Sequence, residues 1–174
     1  MSQTFSKTNN RGITLMETIL YMVILTFVMG VIVQMLISIG GMYREIKITR
    51  ELESSGTIAM ERMLREIRNA SSVVVEESTL GTNPGRLTIA GISEDLNPYK
   101  VTFNVSSGII NVAKDSELPV AITSSSGSVS YLLFTRLATS TSQAVRIEME
   151  LSGTSGSTLK SERFYGFAIF RGSY

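Results

Sequence analysis

An uncharged run at residues 18–43 is the dominant hydrophobic pattern of the chain, and it lies between the acidic Glu17 and the basic Arg44. An α-helix rises about 1.5 Å per residue, so this run would extend about 39 Å as a helix. That length exceeds the ~30 Å hydrocarbon core of a bilayer. The pattern therefore predicts a helix that can span a membrane.

The pattern changes after Arg44, where apolar residues recur among charged ones at the 3.6-residue period of a helix. This period predicts an amphipathic continuation over residues 44–71. The helix is expected to end near residues 69–72, because the β-branched residues that follow disfavour it. Gly56 is expected to be a weak point. The positions expected to face a core are Ile48, Leu52, Ala59, Met63, Ile67 and Ala70.

Short runs of alternating apolar and polar residues follow, separated by clusters of Gly, Ser, Asn and Pro. The clearest alternation, at residues 145–151, is typical of an antiparallel strand with one buried face. Residues 106–108 predict a hairpin turn, since Gly108 tolerates a positive φ. The other predicted strands are 73–77, 86–90, 99–105, 109–113, 130–136 and 163–170, and the predicted loops are 123–130, 138–143 and 152–157.

These elements together predict an α+β fold. A long N-terminal helix would pack, through its amphipathic half, on an antiparallel β-sheet domain of residues 72–174. The length of 174 residues suits one domain plus an appendage.

Composition removes support from several classes of function. A net charge of +1 with both signs scattered argues against a nucleic-acid-binding protein. The chain has no cysteine and no histidine, so it lacks the thiolate metal ligands, the commonest general base and the commonest zinc ligand. We expect no catalysis, no cofactor and no small-molecule substrate. The acidic pairs lack the ligand spacing of a calcium loop; they are Glu76 with Glu77, Glu94 with Asp95, and Asp115 with Glu117.

The residues ahead of the uncharged run set its orientation. Lys7 and Arg11 are the only charged side chains before Glu17, so the positive-inside rule places this end in the cytoplasm and the C-terminal domain outside.

Three interpretations of this N-terminal region compete. A secretory signal peptide would need an apolar region of only about 7–15 residues, and the uncharged run is too long for that. A plain single-pass anchor fits the length, but it gives no reason for an acid at the edge of the run.

The third interpretation comes from Arg11, Gly12, Ile13, Thr14, Leu15, Met16 and Glu17. This junction resembles the class III leader junction of type IV prepilins. The resemblance implies that a membrane aspartic peptidase removes residues 1–12 by cutting after Gly12, and that Ile13 becomes the N-terminal residue and is methylated. Glycine suits such a site because it lets the chain enter a protease cleft in extended form. Residues 13–43 would then form the transmembrane and polymerisation helix.

Glu17 would be the fifth residue of the processed chain, one helical turn from the new α-amino group. A carboxylate in the first turn is favoured by the helix macrodipole, but an ionisable group at the head of a membrane segment needs a partner. The resemblance implies that this glutamate neutralises the N-terminal amine of a neighbouring subunit. Removing one member of such a buried pair typically costs about 3 to 5 kcal/mol. The alternative is that Glu17 merely lies at the headgroup level.

Small and polar residues recur every fourth position within the run. They are Thr26, Gly30, Gln34 and Ser38. Residues of this kind at this spacing mediate helix contacts in lipid. This stripe is the candidate contact face, although membrane helices often carry small residues for no such reason. The segment lacks the helix-kinking proline of many major pilins. Tyr21, Tyr43 and Tyr99 are expected to be interface or packing aromatics.

A looser resemblance covers most of the globular half of the chain, as strand order and short apolar clusters. The order of segments is similar to that of the J-type minor pseudopilins and W-type minor pilins: Met60 to Val73, the hairpin near Ser107, Tyr131 to Phe134, and Val145 to Leu151. The two resemblances imply a structural subunit, either a minor pilin or a minor pseudopilin, of a type IV pilus or a type II secretion-like filament. They also imply its partners, which are other pilin subunits, the prepilin peptidase and methyltransferase, and the assembly platform of the inner membrane.

Two alternatives stay open from the sequence. The first is a major pilin or a DNA-uptake pseudopilin. The second, from another class, is a single-pass envelope protein that binds an extracellular ligand and never polymerises.

Overall fold

The computed structural model describes residues 14–93, 96–115, 117–125, 127–139, 142–155 and 158–171. These residues form one long helix followed by strands. The elements are α1 Leu15–Asn69, β1 Ser72–Val73, a 3₁₀ turn Val75–Glu77, β2 Leu87–Ile92, β3 Pro98–Ser106, β4 Ile109–Lys114, β5 Val120–Ala121, β6 Ser128–Ala138, β7 Gln143–Ser155 and β8 Thr158–Ile169.

The chain divides into two compact units, Met1–Tyr43 and Arg44–Tyr174. The described part of the first unit is the apolar half of α1. The second unit contains the rest of α1 and two antiparallel sheets, one in the order β1-β2-β3-β4-β5 and the other in the order β6-β7-β8. The predicted α+β arrangement is confirmed, with the strands divided between two sheets.

The core of the second unit lies between the later part of α1 and the inner faces of both sheets. The predicted helix end is confirmed at Asn69, and of the predicted core positions only Ile48 is half-buried. The others are buried: Leu52, Ala59, Met63, Ile67 and Ala70. The largest fully buried side chains that the sheets contribute include Phe103, Phe134, Phe170, Leu87, Ile89, Ile110, Leu132, Ile147 and Met149.

Gly56 is not a weak point of the helix, because α1 continues through it and buries it. The ring of Phe164 on β8 lies against the Gly56 backbone, and a Cβ built at Gly56 would overlap that ring. On the sheet side, Gly166 gives the same close approach to Met60 and Leu64. Glycine at these positions lets the helix and the sheet pack more closely than a side chain would allow.

The predicted strand at residues 73–77 is wrong beyond Val73. The Ser78 side chain satisfies backbone groups there that a paired strand would otherwise satisfy. Its hydroxyl donates to the Val74 carbonyl (2.7 Å) and accepts from the Thr88 N–H (2.9 Å). The intervening residues turn in a 3₁₀ conformation. A serine can in this way satisfy backbone groups that a sheet would otherwise satisfy.

The remaining strand predictions overlap the observed elements but differ from them in several places. β6 begins at Ser128, inside the predicted loop 123–130, and β8 begins at Thr158, five residues before the predicted strand 163–170. The predicted loop 152–157 is strand through Ser155, and residues 156–157 lie outside the described residues. The short strand β5 was not predicted. The predicted hairpin is confirmed: Ser106 pairs with Ile109, and both intervening residues have a positive φ (Ser107 53°, Gly108 74°), as in a type I′ turn.

The contact between Gly56 and Phe164 predicts how α1 responds to a small substitution. Gly56→Ala should lower the free energy of unfolding by about 1–3 kcal/mol, because the added methyl group forces the Phe164 ring to move. Gly41→Ala is the matched control, since a Cβ there would meet nothing within 4 Å. Thermal and denaturant unfolding of the full chain in detergent measures both. A Gly56→Ala variant as stable as the wild type would contradict the packing described above.

Candidate functional site

The N-terminal end of α1 is held by Thr14. Its hydroxyl Oγ1 accepts a hydrogen bond from the Glu17 backbone N–H (3.3 Å). Its carbonyl accepts from the N–H groups of Glu17 (3.0 Å) and Thr18 (3.2 Å). Thr14 therefore acts as the N-cap, which satisfies donors that a helix start leaves free. This cap places Glu17 in the first turn of the helix.

Glu17 is bonded to the residue one turn further along α1. The Tyr21 hydroxyl donates to Glu17 Oε1 at 3.1 Å, as the i,i+4 spacing permits. Glu17 Oε2 accepts no hydrogen bond from the described residues. One oxygen of the Glu17 carboxyl group can therefore accept a hydrogen bond from a second donor.

The apolar half of α1 is long and apolar enough to cross a membrane, and none of its most hydrophobic stretch is buried among the residues that the structure describes. The two threonine hydroxyls within it are satisfied by the helix itself. Thr26 donates to the Met22 carbonyl (2.8 Å), and Thr18 donates to the Thr14 and Leu15 carbonyls (both 3.1 Å).

The four residues of the predicted contact stripe, Thr26, Gly30, Gln34 and Ser38, are all exposed on the helix surface. Apart from the backbone bonds of the helix, Thr26 is the one of the four that makes a side-chain hydrogen bond within the described part of the chain. The Gln34 amide and the Ser38 hydroxyl therefore have no partner among the described residues. An amide in hydrocarbon without a hydrogen bond is costly, so this surface calls for a polar partner if it is placed in lipid.

The glycines of this half differ from those of the second unit. A Cβ built at Gly30, Gly40 or Gly41 would meet nothing within 4 Å. Glycine in a helix interior costs about 1 kcal/mol relative to alanine. No contact within the described chain compensates for that cost.

A shallow depression lies on the outer face of the second sheet. Its charged side chains neutralise one another: Arg163 Nε is 2.7 Å from Glu150 Oε2, and an Arg146 nitrogen is 2.6 Å from Glu148 Oε1. The hydrogen bond and charge of Glu150 raise the pKa of Arg163. The depression is lined by Tyr131, Glu148, Met149, Glu150, Arg163 and Tyr165.

One other group has a displaced pKa. Partial burial, together with the negative charge of Glu66, raises the pKa of Tyr99 above its ordinary value. The Tyr99 hydroxyl donates to the Asn69 carbonyl (3.3 Å) at the end of α1, and Lys114 Nζ lies 5.1 Å from the ring centroid. Both pKa values are therefore displaced upward, further from pH 7. The described residues contain no cluster of three or more acidic side chains that could hold a metal ion.

Thr14 and Tyr21 were not assigned to the site from the sequence. The spacing Thr14-x-x-Glu17 is that of a capping box, and Tyr21 lies four residues after Glu17. The first spacing predicts the cap by Thr14, and the second predicts a contact between Tyr21 and Glu17. Tyr21, which is predicted to be an interface or packing aromatic, also donates a hydrogen bond from its hydroxyl to Glu17. Gly12 and Ile13 lie outside the described residues.

Comparison of the chain with models of protein families, with curated proteins and with solved structures found no match.

The open surface at Gly30 generates a prediction about association between chains. Gly30→Leu should weaken self-association of the full chain in lipid vesicles by about tenfold, because a large side chain keeps a second helix away. Gly40→Leu is the matched control, since it lies about 80° around the helix from Gly30 at 100° per residue. Energy transfer between chains labelled at an introduced Ser161→Cys measures association, and the chain has no other cysteine. Equal association of the two leucine variants would contradict a contact at Gly30.

Proposed function

We propose that this chain is a structural subunit of a type IV pilus or a type II secretion-like filament, and that it polymerises through the apolar half of α1 after a peptidase removes residues 1–12. The observation that supports the proposal most is that Glu17, the last residue of the prepilin-like motif in the sequence, lies in the first turn of the helix. Thr14 caps α1, Leu15 begins it, and Glu17 lies in its first turn.

The surface of the apolar half supports assembly as well as anchoring. A helix that only anchors a domain is satisfied by lipid on every side. This helix carries Gln34 near the middle of the uncharged run, and the Gln34 amide has no hydrogen-bond partner in the described chain. A Cβ built at Gly30 would meet nothing within 4 Å. Small residues that let backbones approach, and polar side chains that bond across helices, are what helix pairs in membranes use.

The proposal assigns roles to the remaining site residues. Gly12 is the residue before the cleavage point, and Ile13 is the new, methylated N-terminus. The Glu17 carboxylate receives the α-amino group of a neighbouring subunit. Thr26, Gly30, Gln34 and Ser38 form the face against which a neighbouring helix packs.

The proposed location follows from the same residues. The chain begins as a single-pass protein of the inner membrane, with its N-terminus in the cytoplasm and residues 72–174 outside, and it then enters the filament. Its partners are other pilin or pseudopilin subunits, the prepilin peptidase and methyltransferase, and the assembly platform. The segment order of residues 72–174 favours a minor subunit over a major one.

Two substitutions separate processing from assembly. Gly12→Val should block removal of the leader, because a β-branched side chain at the cut hinders binding in the peptidase cleft. Glu17→Gln should leave removal intact but lower incorporation into filaments at least a hundredfold, as expected from about 3 to 5 kcal/mol for a broken buried pair. Gel mobility measures the first effect, and the ratio of chain in sheared filaments to chain in membranes measures the second.

Ser6→Val is the control, since it places the same side chain in the leader away from the cut. A non-polymerising anchor predicts the opposite pattern: its size and location would be unchanged in cells without the peptidase, and Glu17→Gln would behave as the wild type. That pattern would overturn the proposal.

A further inference from the structure

The bond between Tyr21 and Glu17 has a consequence for how the carboxyl group meets its partner. A glutamate side chain at a helix surface ordinarily samples several rotamers. Here the 3.1 Å bond from the Tyr21 hydroxyl to Oε1 ties the side chain to the helix one turn further on. The aromatic ring of Tyr21 has two torsions only, so it holds that hydroxyl at low cost in conformational entropy.

The environment makes this bond stronger than it would be in water. Both residues lie at the start of the apolar half of α1, where water is scarce once the helix is in a membrane. Hydrogen bonds strengthen in a low dielectric, and those to charged groups are the strongest. The described residues offer Glu17 no other side-chain donor.

We propose that Tyr21 is a positioning residue for assembly: its hydroxyl occupies Glu17 Oε1 and fixes the carboxyl group so that Oε2 receives the α-amino group of a neighbouring subunit. This role rests on the function proposed above for Glu17. A carboxyl group has acceptor sites on both oxygens, so the two partners do not compete. Fixing the side chain beforehand lowers the entropy that the contact with the amine must overcome.

Tyrosine near a membrane surface can also act as an anchor at the headgroups. Tyr43, at the other end of the apolar half, provides the comparison within the same helix. It is 70% exposed, and its hydroxyl has no hydrogen-bond partner among the described residues. An anchoring role predicts similar effects for loss of either hydroxyl, whereas a positioning role predicts an effect at Tyr21 alone.

The first measurement is spectroscopic and does not depend on assembly. Full-length chain labelled with ¹³C at its glutamate carboxyl carbons is placed in vesicles of phosphatidylethanolamine and phosphatidylglycerol. Glu17→Gln identifies the Glu17 resonance as the one that disappears. Tyr21→Phe, which removes the hydroxyl and keeps the ring, should shift this resonance, and Tyr43→Phe should leave it in place. An unshifted Glu17 resonance in Tyr21→Phe would overturn the proposal.

The second measurement is incorporation into filaments. Tyr21→Phe should lower the ratio of filament chain to membrane chain about three- to tenfold, with leader removal unchanged, as expected for the loss of one hydrogen bond to a charged group. Tyr43→Phe should incorporate as the wild type. If both variants fall equally, the anchoring role is correct and the proposal is wrong.

The outcomes also separate this inference from the function on which it rests. If the wild type and Tyr21→Phe enter filaments equally while Glu17→Gln does not, Tyr21 has no positioning role and the proposed function stands. If the wild type itself never enters filaments, the proposed function fails, and the inference about Tyr21 fails with it.

Discussion

The structure depends on the change in polarity along α1. A single helix, Leu15–Asn69, carries an apolar half that the described chain does not bury and a second half that buries one face on two sheets. Burial of a large apolar side chain is worth about 1.5–3 kcal/mol, so exposing an apolar half of this length to water is costly. This half is long and apolar enough to cross a membrane. The second unit buries its own core side chains.

Glycine serves opposite purposes in the two halves. The Phe164 ring occupies the space that a Cβ would take at Gly56, and the Met60 side chain does the same at Gly166. These two glycines therefore set the distance between helix and sheet. Gly30 faces nothing within the described chain. Gly40 is equally open, so an open glycine does not by itself indicate a contact. Gly30 differs from Gly40 in sharing its stripe with the Gln34 amide, which has no hydrogen-bond partner among the described residues.

Much of the fold could be predicted from periodicity alone. The 3.6-residue period located the buried face of α1, and Ser106, Ser107 and Gly108 predicted the hairpin between β3 and β4. The sequence could not indicate contacts between distant residues. The β6 edge is covered by the loop before β2, where Asn83 Oδ1 accepts from the Leu132 N–H (2.8 Å) and Gly85 donates to the Leu132 carbonyl (2.8 Å). At the candidate site, the sequence singled out Glu17 by its charge at the edge of the uncharged run. The i,i+4 spacing of Glu17 and Tyr21 permits a contact, and the structure shows the hydrogen bond between them.

The central claim is that the chain is cut after Gly12 and then polymerises through the helix that this cut exposes. The most direct test is the N-terminus of the chain isolated from cells with an active prepilin peptidase, determined by mass spectrometry of the intact chain and its first peptide. The account predicts a chain that begins at Ile13 and carries a methyl group on its α-amino nitrogen. A chain that still begins at Met1 in those cells would contradict it.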